Sequence, residues 1–202
     1  MRVAQFSWSK NAGWATSSSK ADRDLVFFFG TRQALACGSR YHELRAMFPH
    51  AHIVGCSTGG QIHNDDVTDD EITAAALGFD ATRLRIACEP ASAADRSRAC
   101  GEALGRALAA PDLVGVFVLS DGLNVNGSEL VAGISSVVDK SVSITGGLAG
   151  DGADFHETLV AADCVPRKHL VAGVGFYGSA IRIGHGSAGG WDEFGPRRRI
   201  TK

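Results

Sequence analysis

The residues in this chain best suited to hold a ligand are two glycine-rich corners in matching places. Gly55-Cys56-Ser57-Thr58-Gly59-Gly60 follows the run His52-Ile53-Val54, and Gly146-Gly147-Leu148-Ala149-Gly150-Asp151 follows Val142-Ser143-Ile144-Thr145. Glycine permits positive φ and close backbone approach. A glycine corner at a strand end therefore turns several N–H groups toward one point, a nest that suits carboxylates or phosphates. The anionic group of a small ligand, such as an amino-acid carboxylate, is the natural guest. Ser57, Thr58, Asn124 and Asn126 add hydrogen bonds, and Asp121 or Asp151 would pair with an ammonium group. The expected ligand-binding set is Cys56, Ser57, Thr58, Gly59, Asp121, Asn126, Gly146, Gly147, Gly150 and Asp151. The competing reading is that these glycines only turn the chain between packed strands.

Gly55-Cys56-Ser57-Thr58-Gly59 is also G-x-S-x-G after a strand, which raises a serine hydrolase with Ser57 as nucleophile. A nucleophile elbow runs straight into a helix and needs Asp and His partners later in the chain. Asp151 or Asp163, then His169 or His185, stand in that order, but Gly60 to Asp66 reads as a loop or hairpin arm. The matching second corner carries no nucleophile. Cys56 as a thiol nucleophile fares no better, because small cysteines at strand ends are usually core. No catalytic residue is assigned, and the chain is not expected to be an enzyme.

The elements that must position the corners come in a repeated order. Leu25-Val26-Phe27-Phe28-Phe29 corresponds to Val114-Gly115-Val116-Phe117-Val118-Leu119, short apolar runs with the bias of buried strands. Each is followed by apolar residues at helical spacing, over 31–48 and 127–138, and then by a strand and its corner. After each corner the pattern returns to extended, over Ile72–Phe79 and Leu170–Tyr177. This predicts an internal duplication, about 24–80 and 113–178, whose two halves share one pocket. Between the repeats lie an extended segment, Leu84–Cys88, and a helix over Ala93–Ala109, capped by Ser92 or Asp95 and stopped by Pro111. Met1 to Phe6 alternates as an edge strand would, and Ile181–Gly186 reads as a last strand. The fold class expected is α/β, with α+β as the alternative: a mixed β-sheet with flanking helices.

Composition narrows the function classes. The chain has 202 residues, 45% of them hydrophobic, and a net charge of −2, so no global field recruits nucleic acid or an anionic membrane. Five widely spaced cysteines without a CxxC pair argue against a disulfide framework or structural metal. No apolar run approaches about 18 residues, so no membrane insertion is expected. The expected compartment is the reduced cytoplasm.

In order along the chain, the Gly55–Gly59 corner, Phe117-Val118-Leu119-Ser120-Asp121-Gly122, Asn126-Gly127, the Gly146–Asp151 corner and the tail from His185-Gly186 to Gly195-Pro196 resemble the N-terminal half of FIST sensory domains. The resemblance runs from about Asp24 to the end. It implies a bacterial intracellular sensory domain over 1–196 that binds a small ligand in signal transduction, with 197–202 as a linker or the start of a second FIST half. The implied partners are that second half, or an output domain or protein, and a homodimer is possible. Some members of the family bind haem and respond to nitric oxide, so a haem-binding sensor is one alternative, with His63 and His156, which flank the corners, as the ligand candidates. No CxxCH motif is present, and no cofactor is assigned. A protein-interaction module using Trp191 and Phe194 is the other alternative.

Overall fold

The computed structural model describes residues 1–15, 22–69, 71–91, 93–186 and 195. The first half runs β1 (Arg2–Ser9), β2 (Gly13–Ala15), β3 (Leu25–Gly30), α1 (Arg32–Ala36), α2 (Ser39–Met47), β4 (His52–Ser57), a hairpin of β5 (Gln61–His63) and β6 (Asp66–Thr68), then β7 (Ile72–Gly78). The second runs β8 (Arg83–Pro90), a 3₁₀ turn (Ala94–Arg96), α3 (Ser97–Leu108), β9 (Leu113–Ser120), α4 (Gly127–Ser135), β10 (Ser143–Leu148), β11 (Val160–Ala162) and β12 (Leu170–Tyr177). The α/β reading with mixed sheets holds, but the strands form two principal sheets rather than one. Their orders are β11-β4-β3-β7-β1-β2 and β10-β9-β12-β8.

Side-chain alternation explains the layering. Along β3, Val26 and Phe28 join Leu35, Tyr41 and Leu44 beneath α1 and α2, while Leu25, Phe27 and Phe29 face the second sheet. There they meet Leu119, Ala172 and Val174, with the Phe27 and Phe117 rings 4.7 Å apart. The second sheet turns Val116, Val118 and Val171 outward onto Leu104, Leu108, Leu130 and Ile134 of α3 and α4. Each sheet is thus apolar on both faces, which is why its central strands read as unbroken hydrophobic runs. The order of layers is helices, sheet, sheet, helices.

Both sheets share one connectivity. β3 pairs parallel with β4 and antiparallel with β7, and β9 pairs parallel with β10 and antiparallel with β12. β1 lies antiparallel on β7 as β8 does on β12, so two strands outside 24–80 and 113–178 occupy equivalent positions. Gly30 and Ser57 end β3 and β4 on the same rung, as Ser120 and Leu148 end β9 and β10. Counted back from those ends, Gly55 opposite Phe28 matches Gly146 opposite Val118.

Several local expectations change. The 31–48 helix is broken into α1 and α2, because Gly38 adopts a left-handed φ of 72° and starts α2 afresh. The edge reading of Met1–Phe6 holds, for among the described residues Arg2–Phe6 pair with β7 alone and only Ser7–Ser9 beyond them are covered by β2. The 93–109 helix begins as a 3₁₀ turn, and α3 has no side-chain cap; Ser92 lies outside the described residues. Ile181–Gly186 forms no ladder, because Ile181 and Ile183 turn into the inter-sheet core instead.

β11 joins the halves, for it follows the second corner yet pairs antiparallel with β4 of the first sheet. Asp163 clamps it there. Its carboxylate lies 2.6 Å from His52 Nδ1 and 2.9 Å from Arg45 Nη2, and accepts the Ile53 N–H at 2.9 Å. Burial alone would raise this carboxyl's pKa, but the hydrogen bonds from His52, Ile53 and Arg45 outweigh it and hold the pKa below the usual range. A lowered folded pKa stabilises fully above the unfolded value, about 3.9, and that contribution is lost as pH falls through the folded one. Urea unfolding of wild type and Asp163→Asn should therefore differ by about 1–3 kcal/mol at neutral pH, with the gap closing below about pH 4. A gap that does not narrow at all as pH falls from 7 through the acid range refutes the clamp.

Candidate functional site

The two corners meet where the sheets pack together. Thr58 N–H donates to Gly30 O at 2.9 Å, and in the other sheet Ala149 N–H donates to Ser120 O at 2.8 Å. Across the junction Gly150 N–H donates to Ser57 O at 2.8 Å, and no side chain separates Gly59 from Gly150 and Gly152. Ser57 is fully buried. Its N–H donates to Leu159 O at 2.8 Å and its Oγ accepts the Leu159 N–H at 2.9 Å, so the hydroxyl holds the two halves together. Asp163 is engaged by His52 and Arg45, and His169 Nδ1 faces Asn124 at 3.2 Å. The chain after Ser57 enters the β5–β6 hairpin, not a helix, which removes the geometry of a nucleophile elbow. Cys56 is sealed between the sheets, where burial pushes its thiol up to about 12.

The sequence-derived set is divided between two spaces. Thr58, Gly59 and Asp151 border a cleft of about 550 Å³ at the corner junction, with Thr31, Arg32, Gln33, Asp69, Gly152, Ala153 and Asp154. Gly146 and Gly147 border a separate cavity of about 370 Å³ between β10 and α4. Gly150 lies at the junction through its bond to Ser57. Asn126 caps α4, its Oδ1 accepting the Glu129 N–H at 3.2 Å.

Both aspartates of the set are occupied by backbone. Asp121 is only 2% exposed, and its Oδ1 accepts the N–H groups of Leu123 at 2.9 Å and Asn124 at 2.7 Å and the Asn124 amide at 3.1 Å. Its Oδ2 accepts the His169 N–H at 3.3 Å. Burial works to raise its pKa, and these donors overcome it and keep the carboxylate ionised below the ordinary range. Asp151 accepts the N–H groups of Glu157, His156 and Phe155 at 2.8, 2.7 and 3.1 Å, which lower its pKa likewise. Both carboxylates fix loops, Asp121 the turn after β9 and Asp151 the turn over 155–157.

Sequence reasoning missed the cationic wall of the junction. Arg32 is 23% exposed and pairs with Asp154 at 2.9 Å, while its buried Nε has no partner. Thr31 and Arg32 follow β3 as Asp121 and Gly122 follow β9, so aligning the repeats one step beyond the strands would have singled them out. They read instead as a helix start, which they also are, since Thr31 Oγ1 accepts the Ala34 N–H at 3.2 Å.

A haem requires a histidine facing a large apolar cavity. His156 is exposed, and His63 lies half-buried on β5 with its Nδ1 enclosed and unpartnered. Neither lines the junction cleft, which is walled by charged and polar groups, or the β10–α4 cavity. These residues do not fit the macrocycle. Among the described residues there is no cluster of three metal-ligating side chains and no helix long and apolar enough to cross a membrane. Trp191, Phe194 and Arg197–Arg199 lie outside the described residues.

None of the curated proteins matches the chain. The model of the FIST N domain matches residues 24–202, a span that takes in both corners, both helix pairs and the strand exchange at β11. The chain therefore belongs to the FIST N domain family, a family of sensory, signal-transduction domains.

Proposed function

We propose that this sensory domain binds a small carboxylate ligand, of the amino-acid class, in the cleft where the two corners meet. The carrying observation is Arg32, a guanidinium at the cleft wall with a buried Nε that no protein group satisfies. An enclosed polar atom without a partner is costly, and a carboxylate accepts from a guanidinium in the geometry that offsets that cost. Gly59 of the first corner and Gly152, just past the second, line this space without side chains to fill it. Once a ligand carboxylate takes Arg32, Asp154 is released and stands with Asp69 to meet an ammonium group. A zwitterion thus satisfies both signs of charge.

The cleft has walls from both halves, Thr31–Gln33 and Thr58–Gly59 from the first and Asp151–Asp154 from the second. A ligand spanning them favours one relative setting of the sheets, which is how occupancy would bias a signalling partner. The test is a thermal-shift screen of amino acids and other small carboxylates, followed by calorimetry on wild type, Arg32→Ala and Arg32→Lys. Losing charge-assisted bonds worth about 1.5–3 kcal/mol weakens binding by Arg32→Ala about 10- to 100-fold, with partial retention in the lysine variant. Binding that ignores Arg32→Ala, or no response to any carboxylate, overturns the proposal.

A further inference from the structure

A second cleft adjoins the junction. It has a volume of about 640 Å³, and Thr31 and Gln33, which flank Arg32 in sequence, border both it and the junction cleft. Each space lies within the size range of ligand pockets, about 300–1,000 Å³. Beyond Gln33 the walls include Trp8, Lys10, Arg40 and Glu71. Arg40, in the first turn of α2, is held in place. Its Cζ lies 4.6 Å from the centre of the Trp8 ring, and its Nη2 pairs with Glu43 Oε1 at 2.8 Å. Glu43 is fixed in turn by the Trp14 Nε1–H, which donates to its Oε2 at 2.7 Å. A stacked guanidinium anchored through one nitrogen keeps its plane and has further N–H groups to donate. Lys10 stands exposed in the turn between β1 and β2. Glu71, the carboxylate of this wall, accepts the Thr68 hydroxyl at 3.4 Å. Two cations against one carboxylate leave the second cleft positive.

We propose that this second cleft is a distal subsite and that the ligand is a dicarboxylic amino acid, whose side-chain carboxylate is received by Lys10 and Arg40. The subsite presupposes the Arg32 carboxylate site proposed above. With the α-carboxylate on Arg32 and the ammonium group near Asp69 and Asp154, a side chain leads past Gln33, which is exposed and carries no charge to oppose it. The groove then alternates in sign as such a ligand does: a cation, two carboxylates, and a second pair of cations. A carboxylate takes paired N–H bonds from a guanidinium. Because Trp8 and Glu43 already order the Arg40 side chain, less freedom is lost when it binds. A monocarboxylic amino acid leaves these groups unused.

The test is calorimetry on the full chain with L-aspartate, L-glutamate, L-2-aminoadipate and L-2-aminopimelate, each against its side-chain amide. Wild type, Lys10→Gln, Arg40→Gln and Arg32→Ala are compared. At the side-chain length that fits, wild type is expected to bind the acid about 10-fold tighter than the amide. Lys10→Gln and Arg40→Gln are expected to remove that preference and leave the amide's dissociation constant unchanged, whereas Arg32→Ala weakens acid and amide alike. Lys10 is exposed, so its variant keeps the fold and decides the matter if circular dichroism shows Arg40→Gln unfolded. Acids and amides that bind equally at every length overturn the distal subsite and leave the Arg32 site standing. An acid preference that the Lys10 and Arg40 variants preserve overturns it too, by placing the second carboxylate elsewhere. If no acid or amide binds, or if Arg32→Ala spares binding, the subsite falls together with the Arg32 site.

Discussion

Gly146→Ala is expected to abolish the native fold under conditions where Gly147→Ala is almost silent. Gly146 has a φ of +146°, a region that residues with a Cβ rarely enter. A methyl group there would also be driven into the Val118 carbonyl of the neighbouring strand, a backbone group that cannot move aside without breaking the β9–β10 ladder. Backbone strain and overpacking together cost more than about 4 kcal/mol, against a total stability of about 5–15 kcal/mol for a typical domain. Gly147 has an ordinary φ and open space around its Cα, so its alanine variant should stay within about 1 kcal/mol of wild type. Urea titration followed by far-UV circular dichroism separates the two. Equal midpoints would show that the second corner tolerates side chains and that its glycines serve something other than packing. Gly55 is held against Phe28 in the same manner, but only Gly146 adds the positive φ.

The second large effect is expected at Asp121. Its carboxylate is enclosed and gathers donors from Leu123, Asn124 and His169, tying the end of β9 to the start of β12. Removing it in Asp121→Ala strands buried N–H groups, each costing about 1–3 kcal/mol when left unsatisfied, so the variant should lose about 3–5 kcal/mol. Asp121→Asn keeps one acceptor oxygen but turns an amide toward the His169 N–H, and should fall between wild type and alanine. The measurement is chemical unfolding of all three at neutral pH. An alanine variant within 1 kcal/mol of wild type would free Asp121 for a role in ligand contact.

These two residues mark how far the sequence could be read. The repeated strand, helix and strand were legible because each depends on local spacing, apolar runs for β3 and β9 and a helical period for α2 and α4; the corners begin later than expected, because Gly55–Ser57 remain in β4 and Gly146–Leu148 in β10, paired rung for rung. The alignment of Gly55 with Gly146 follows from those patterns, and the same rung in both sheets carries it. The helix break at Gly38 was missed because α1 and α2 continue one apolar period across it. The roles of the polar residues were not legible, because an aspartate that binds backbone and one that binds a ligand are the same letter. Asp121, Asp151 and Asn126 were each spent on turns or a helix cap, while Arg32 was hidden in what read as a helix start.

The sequence by itself determined the central strands β3, β4, β7, β9, β10 and β12, their order and the family, since these rest on periodicity and motif order within short windows. Tertiary structure alone decided that the strands divide into two sheets face to face, that β11 crosses to β4, and that the corners meet back to back. Those outcomes hang on pairings such as Leu159 N–H to Ser57 Oγ, 102 residues apart in the chain. Such contacts form only when apolar faces from both halves are buried together, and burial has no direction along the sequence.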